Sequence, residues 1–166
     1  MKLLLAASLA FALIAPAMAQ ETAYTSEDET ALQQCVETVN DINSAGEEGE
    51  SASLTECIGI ASNTCQDAPD GASTQGIVAC NQREQSWWDM QLNLYYDELK
   101  ADLESDVFDS LQQAQRAWLT YRDAKCTFVY ELWRDGSIRS VVQSSCMLDT
   151  TATRAIELGE ALDRGN

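Results

Sequence analysis

The sequence has no histidine, only two prolines and, between residues 20 and 79, no lysine or arginine. Without histidine the chain lacks both a common catalytic base and the commonest metal ligand. It also lacks a Gly-x-Ser-x-Gly motif, a glycine-rich phosphate loop and a close Cys-x-x-Cys pair of the kind that binds zinc. These absences argue against an enzyme, and we expect no cofactor and no bound metal.

Basic residues are scarce, since ten lysines and arginines face 27 aspartates and glutamates, for a net charge of −17. Residues 20–79 carry twelve of the acids, whereas residues 80–166 carry fifteen acids and nine bases. The electric field of this negative charge repels nucleic acid and anionic membranes and attracts a cationic protein. High charge also keeps an exported protein in solution without any binding role, and composition leaves both interpretations open.

Long apolar runs are absent except at the amino terminus. Lys2 supplies a positive start, Leu3–Ile14 is apolar but too short to span a bilayer, and Ala17–Ala19 is a small-residue cleavage signal. The sequence therefore predicts a cleaved signal peptide over residues 1–19 and a periplasmic or secreted protein. No cysteine directly follows the cleavage site, so we expect no lipid anchor after cleavage.

Helical periodicity runs through the rest of the chain, with apolar residues at steps of three and four. The expected helices cover about residues 27–43, 53–63, 74–104, 106–134 and 138–162, with turns near 67–71 and 135–137 and a charged, glycine-rich loop between the first two. Ser105 is the expected N-cap of the fourth helix. The fold class predicted is all-α, a disulfide-stapled antiparallel bundle of about five helices.

The core is expected between residues 87 and 133, which include all four tryptophans. Two apolar stripes should pack together there as an antiparallel hairpin. They are Trp88, Leu92, Tyr95, Leu99 and Leu103 in the third helix, and Val107, Leu111, Ala114, Trp118 and Tyr121 in the fourth.

Six cysteines in an exported chain indicate three disulfides, which composition alone permits in fifteen pairings. The expected helices narrow the choice, because antiparallel neighbours bring positions on either side of a turn level with one another. Sequential pairing follows: Cys126 with Cys146, Cys65 with Cys80, and Cys35 with Cys57.

Polar residues share the aromatic face of the fourth helix, where Gln115 and Arg122 lie at helical spacing from Trp118. We expect them to be structural: Arg122 paired with Glu84 or Glu157, and Gln115 bonded to Asn93 or to backbone groups. A ligand site is the alternative.

The most distinctive segments are Trp88-Asp-x-x-Leu-Asn93 and the run Ala114-Gln-Arg-Ala-Trp118 to Arg122-Asp-Ala-x-Cys126, followed by Gly136-Ser137, Ser145-Cys146 and Thr153-Arg154-x-x-Glu157-Leu158. Together they resemble the LprI family, and the similarity extends over about Cys65 to Leu162. The motif residues are Trp88, Asn93, Gln115, Arg116, Trp118, Arg122 and Asp123. The resemblance implies a small helical, disulfide-bonded envelope or secreted domain that inhibits lysozyme.

The chain departs from the family pattern in lacking a lipid-attachment motif and in carrying an acidic extension with two cysteines. We therefore predict three parts: the signal peptide 1–19, an acidic two-helix extension over 20–63, and an LprI-like helical domain over 64–166. The expected function is inhibition of a cationic lysozyme to protect the cell wall. The alternative is a periplasmic structural or interaction protein that binds another envelope component.

Overall fold

The computed structural model describes residues 23–45 and 51–165, so the predicted signal peptide and the predicted loop at residues 46–50 lie outside its description. The elements are α1 (Ser26–Ala45), a 3₁₀ turn (Leu54–Cys57), α2 (Ile60–Gln66), α3 (Thr74–Asp102), α4 (Ser105–Leu132) and α5 (Ile138–Gly165). The described residues include no β-strand, and the all-α prediction is confirmed.

The core of the bundle is formed chiefly where α3 packs against α5. These two helices run parallel, as their contacts show. Near the amino ends of both helices, Asn81 of α3 donates to Ser144 and Ser145 of α5. Near their carboxyl ends, the ring of Tyr95 lies against Gly159, where an added Cβ would come within 3.3 Å. The chain doubles back between α3 and α4 as predicted, since α4 is antiparallel to α5, but the expected packing of these two helices on each other is wrong, because each of them packs chiefly on α5.

The predicted stripe of α3 is buried as expected, because Trp88, Leu92 and Leu99 are all enclosed. They pack with buried α5 residues and with Leu32 and Val39 of α1. The α5 members of this core are Leu148, Ala152, Ala155, Ile156 and Leu158.

Helix α4 runs antiparallel to α5 and is held by three contacts between side chains. Its fully buried Cys126 forms a disulfide with Cys146, Lys125 Nζ donates to Thr150 at 3.1 Å, and Gln115 accepts from Arg154 Nε at 2.9 Å.

The predicted apolar stripe of α4 lies beside this contact face, which corrects the sequence prediction. Val107 is 49% exposed and Tyr121 is 58% exposed, while Leu111 and Trp118 are half-buried. At 100° per residue, the stripe is centred roughly a quarter-turn around the helix from Cys126. The disulfide and the hydrogen bonds to α5 therefore set the rotation of α4 in place of its apolar residues.

The predicted second helix is instead a 3₁₀ turn followed by the short helix α2, with a break at Gly59. Gly59 has a φ of +98°, a conformation that glycine adopts without the steric cost of a Cβ. Ser53 caps the 3₁₀ turn by accepting from Thr55 N, and Ser73 caps α3 by accepting from Gly76 N at 2.9 Å. Ser105 is the first residue of α4, and its predicted N-cap role is wrong because Glu104 occupies that position.

Three disulfides link successive elements, in the sequential pairs predicted from the helix pattern. Cys35–Cys57 joins α1 to the 3₁₀ turn, Cys65–Cys80 joins α2 to α3, and Cys126–Cys146 joins α4 to α5. Their Cα atoms are 5.8, 5.6 and 5.5 Å apart, within the usual range for a disulfide.

Candidate functional site

Glu84 is the most deeply buried ionisable side chain among the described residues. Its carboxylate accepts from the backbone N–H of Gly59 at 2.6 Å, from Ser62 N at 2.8 Å and from Trp88 Nε1 at 3.1 Å. The two backbone groups belong to the start of α2, where helical N–H groups have no partner of their own. Glu84 thus fixes α2 on α3, and the predicted pairing of Arg122 with Glu84 is wrong.

A second buried carboxylate, Asp28, joins α1 to α3 through Arg83. Arg83 Nη2 lies 2.7 Å from Asp28 Oδ1, and Nε lies 3.0 Å from Oδ2. Burial alone would raise the pKa of Asp28, but hydrogen bonds from Arg83 and Thr25 hold that pKa below its ordinary value. This pair stabilises the packing of the acidic extension on the rest of the chain.

The motif residues divide between the core and the surface. Trp88 is buried, Gln115 accepts from Arg154, and Arg116 is exposed beside Gln112. Asn93 is exposed and donates to Asp89, so the predicted bond between Gln115 and Asn93 is wrong.

Arg122 is the motif residue with the most structured surroundings. Its guanidinium lies 5.1 Å from the ring centroid of Trp118, and its Nε and Nη2 donate to Asp123 at 3.0 and 2.9 Å. Asp123 is exposed, whereas the Arg122 side chain is only 15% exposed. Glu157 pairs with Arg154, so the second predicted partner of Arg122 is also wrong.

Arg122 and Asn93 both line a groove of about 970 Å³, which we call the central groove. Its walls are α3 and α4, and its floor is α5. Helix α3 contributes Val78, Gln82, Gln85, Ser86, Asp89, Met90 and Asn93, α4 contributes Arg122, and α5 contributes Ser140, Gln143, Ser144 and Met147. The groove exists because α3 and α4 each pack chiefly on α5, although the rings of Tyr96 and Phe108 join the two helices near the turn between them.

One end of the bundle, which we call the acidic end, collects carboxylates from three helices. The parallel α3 and α5 finish there, and α4 begins there. The carboxylates are those of Asp97, Glu98, Asp102, Glu104, Asp106, Asp109, Glu157, Glu160 and Asp163. Lys100 and Arg164 are the nearby bases in these segments.

A cleft of about 370 Å³, the acidic cleft, opens at this end. Its rim includes Glu98, Asp102, Glu160 and Asp163, and its apolar lining comes from Val36, Leu54, Trp88, Ile156 and Leu162. Tyr95 also lines the cleft, and burial together with the charges of Glu98 and Asp163 raises its pKa. Charge above an apolar lining suits a lysine or arginine side chain, which carries a charged head on an aliphatic stem.

The opposite end of α4 carries an apolar tip. Phe128 is 64% exposed, Leu132 is 65% exposed, and Trp133 and Ile138 are also exposed. Arg139 stacks on Tyr130 at 4.6 Å and donates to the Arg134 carbonyl, which orders the turn between α4 and α5.

Sequence reasoning singled out Asn93 and Arg122 but missed Asp89 and the rim of the acidic cleft. The spacing of Asp89 and Asn93 places them on one helix face, as does that of Glu98 and Asp102. That signal was present in the sequence. The contribution of Glu160 and Asp163 to the same cleft required knowledge that α3 and α5 pack against each other.

The described residues contain no group of histidine, cysteine, aspartate and glutamate side chains placed to hold a metal ion. Among the described helices, none combines the length and hydropathy needed to cross a membrane.

Comparison with known proteins identifies the family from the sequence. The family model described as "Lysozyme inhibitor LprI" matches residues 65–158, which is more than half of the chain. An uncharacterized protein of Rhizobium meliloti (strain 1021) is 28% identical over 127 residues, covering 67% of this chain and 91% of that protein. No solved structure matches. With its match spanning α3, α4 and most of α5, the chain belongs to the LprI family of lysozyme inhibitors.

Proposed function

We propose that this protein inhibits a cationic lysozyme by binding it at the acidic end. Membership of the LprI family supports inhibition as the activity. We choose the acidic end as the binding surface because the acidic cleft there has carboxylates above an apolar lining.

Electrostatics supply the route to the complex. A net charge of −17 draws a basic protein towards the chain, and complementary charge raises the association rate most strongly at low salt. The acidic cleft then accepts a basic side chain of the enzyme, with its stem against Leu54 and Ile156 and its charge near Asp102 and Glu160. The bound protein then blocks access of the substrate to the enzyme and so inhibits it.

Titration of purified lysozyme with the protein tests the activity directly. We expect muramidase activity to fall as the protein is added in low salt, and the apparent Kd to weaken as salt is raised. Full muramidase activity at a large molar excess in low salt would rule out this function.

A matched pair of variants tests the surface. The first removes three carboxylates at the acidic end, with Asp102→Asn, Glu160→Gln and Asp163→Asn. The control removes three carboxylates from elsewhere on the bundle, with Asp70→Asn, Glu131→Gln and Asp135→Asn, all exposed. Both variants remove three negative charges, so a larger loss of inhibition in the first locates the binding surface. Equal losses would show that only total charge matters.

A second candidate function is interaction with another envelope component, and the apolar tip favours it. Exposed Phe128, Leu132 and Trp133 form a continuous surface beside the turn, lining a shallow hollow. Clustered exposed apolar residues of this kind often mark a protein-binding surface. A pull-down from periplasm would support this function if one stoichiometric partner is recovered by the wild type and lost with Phe128→Ser and Leu132→Ser. Leu94→Ser, at an exposed position on α3, is the control.

A further inference from the structure

The central groove is not used by the proposed function, although it contains two of the motif residues. We propose that it binds a short peptide that carries a free carboxylate, with Arg122 as the group that pairs with the carboxylate. The inference goes beyond lysozyme inhibition, because the groove lies between α3 and α4 and shares no lining residue with the acidic cleft.

Arg122 is held in place with one edge of its guanidinium free. Asp123 accepts from Nε and Nη2, and the Trp118 ring lies against the group. No described residue accepts from Nη1. Arginine has five N–H donors in a fixed plane, so the edge formed by Nη1 and Nη2 can still bind a carboxylate through two parallel hydrogen bonds.

The remaining lining suits a peptide backbone. Gln85 of the α3 wall and Gln143 of the α5 floor add two side-chain amides to this lining. Each amide side chain offers both a donor and an acceptor, as each peptide unit does. Met90 and Met147 supply flexible apolar surface that adapts to an aliphatic side chain.

A sugar chain fits this lining less well than a peptide does. None of the residues that line the groove is aromatic, so no ring is available to stack on the face of a sugar. The ring of Trp118, beside the groove, already has the Arg122 guanidinium over it.

The negative charge of the protein does not exclude an anionic ligand here. Asp106, in the first turn of α4, is about 24 Å from Arg122 along the helix. At physiological ionic strength the Debye length is about 8 Å, so the more distant charges of the acidic end are largely screened at Arg122. The acids near the groove are Asp89 in its lining, Asp97 one helical turn beyond Asn93, and Asp123, which pairs with Arg122. A ligand carboxylate therefore approaches the edge of the Arg122 guanidinium that faces away from Asp123.

Calorimetric titration with two peptides tests the proposal and separates two sources of such a ligand. One is the stem tripeptide of peptidoglycan, and the other is trialanine, which represents the carboxyl terminus of a protein. Each is compared with its C-terminal amide. We expect the free acids to bind about tenfold to a hundredfold more tightly than the amides, because a charge-assisted hydrogen bond is lost. The tighter of the two acids identifies the source.

Two arginine variants provide the matched comparison. Arg122→Gln should remove the preference for the free acid, whereas Arg116→Gln, at an exposed arginine of the same helix, should keep it. Gln143→Ala leaves Arg122 and its contact with Trp118 in place, and we expect it to weaken both forms of the peptide equally. Unchanged circular dichroism is required of each variant.

Several results would overturn the proposal. They are equal binding of the acid and the amide, or no binding of either peptide. An effect of Arg116→Gln as large as that of Arg122→Gln would also overturn it. So would a chito-oligosaccharide that binds instead of the peptides and depends on Arg122. Lysozyme inhibition is measured separately, and we expect Arg122→Gln to leave it unchanged. The proposed function and this inference can therefore fail independently.

Discussion

At the scale of single residues, two buried carboxylates connect the acidic extension to the matched family region. Glu84 holds the start of α2, and Asp28 ties α1 to Arg83. The sequence pattern predicts Glu84 as a buried acid but gives it the wrong partner, and in a chain with 27 acids it does not single out Asp28. Burial and the geometry of their donors make them structural.

Replacing Glu84 with leucine should strongly destabilise the fold. The change leaves the N–H groups of Gly59 and Ser62 and the indole N–H of Trp88 without an acceptor, in a site closed to water. Each such group costs about 1–3 kcal/mol when unsatisfied. We expect urea denaturation to show a loss of about 3 kcal/mol or more. Asp97→Leu, at an exposed acid of the same helix, is the control, and a similar small effect of both changes would contradict this account.

The contribution of the Asp28–Arg83 pair should depend on pH. Because the folded-state pKa of Asp28 lies below its unfolded value, the stability it provides is present above about pH 4 and disappears as pH falls through the lower, folded pKa. The difference in free energy of unfolding between the wild type and Asp28→Asn should therefore shrink between pH 6 and acid pH. A difference that stays constant over this range would show that Asp28 does not contribute through its charge.

At the scale of elements, α4 is the least securely packed of the long helices. Cys126 is its one fully buried residue among those described, and its apolar stripe is half-exposed. Its predicted partner was α3, which precedes it by a two-residue connection. The observed partner is α5, since the disulfide and the contacts of Lys125 and Gln115 all lead there.

Removing the Cys126–Cys146 disulfide should loosen α4 selectively. The double change Cys126→Ser and Cys146→Ser removes a disulfide that closes a loop with a sequence separation of 20. In the chain-entropy model such a disulfide adds about 3 kcal/mol to the free energy of unfolding. Hydrogen exchange should become faster in α4 while α3 stays protected by its packing on α5. The comparison is Cys65→Ser with Cys80→Ser, which should loosen α2 instead. Uniformly faster exchange throughout the bundle would show that α4 does not open on its own.

At the scale of the whole molecule, negative charge is concentrated at one end of the bundle axis. Carboxylates gather where α3 and α5 end, whereas aromatic and aliphatic side chains with Arg134 and Arg139 gather at the other end of α4. Helix α4 has 28 residues and is about 42 Å long, so the two ends are well separated. Different partners can therefore meet different ends of one molecule.

Screening of the acidic end should stabilise the protein. Carboxylates there repel one another with few bases nearby, so added salt lowers the cost of folding. We expect Tm to rise with sodium chloride concentration, and to rise less in the variant with Asp102→Asn, Glu160→Gln and Asp163→Asn than in the control with Asp70→Asn, Glu131→Gln and Asp135→Asn. Equal salt dependence in the two variants would show that repulsion is not concentrated at this end.

The sequence by itself determined the all-α class, the approximate extents of α1, α3, α4 and α5, and the cysteine pairs. Helical periodicity and turn residues are local signals, and cysteines on either side of a turn are brought level whenever the flanking helices double back. The division into signal peptide, extension and domain remains a prediction from composition.

Tertiary structure alone decided that α3 packs on α5, which face α4 turns inward, and which donors the buried acids meet. A helix with a broad apolar stripe fits several neighbours equally well, so periodicity cannot choose its partner. The disulfide to Cys146 turns one face of α4 towards α5, and the apolar stripe lies roughly a quarter-turn around the helix from that face. That rotation left the central groove open beside Arg122, because contacts between distant residues, and not local preference, fix the orientation of a helix.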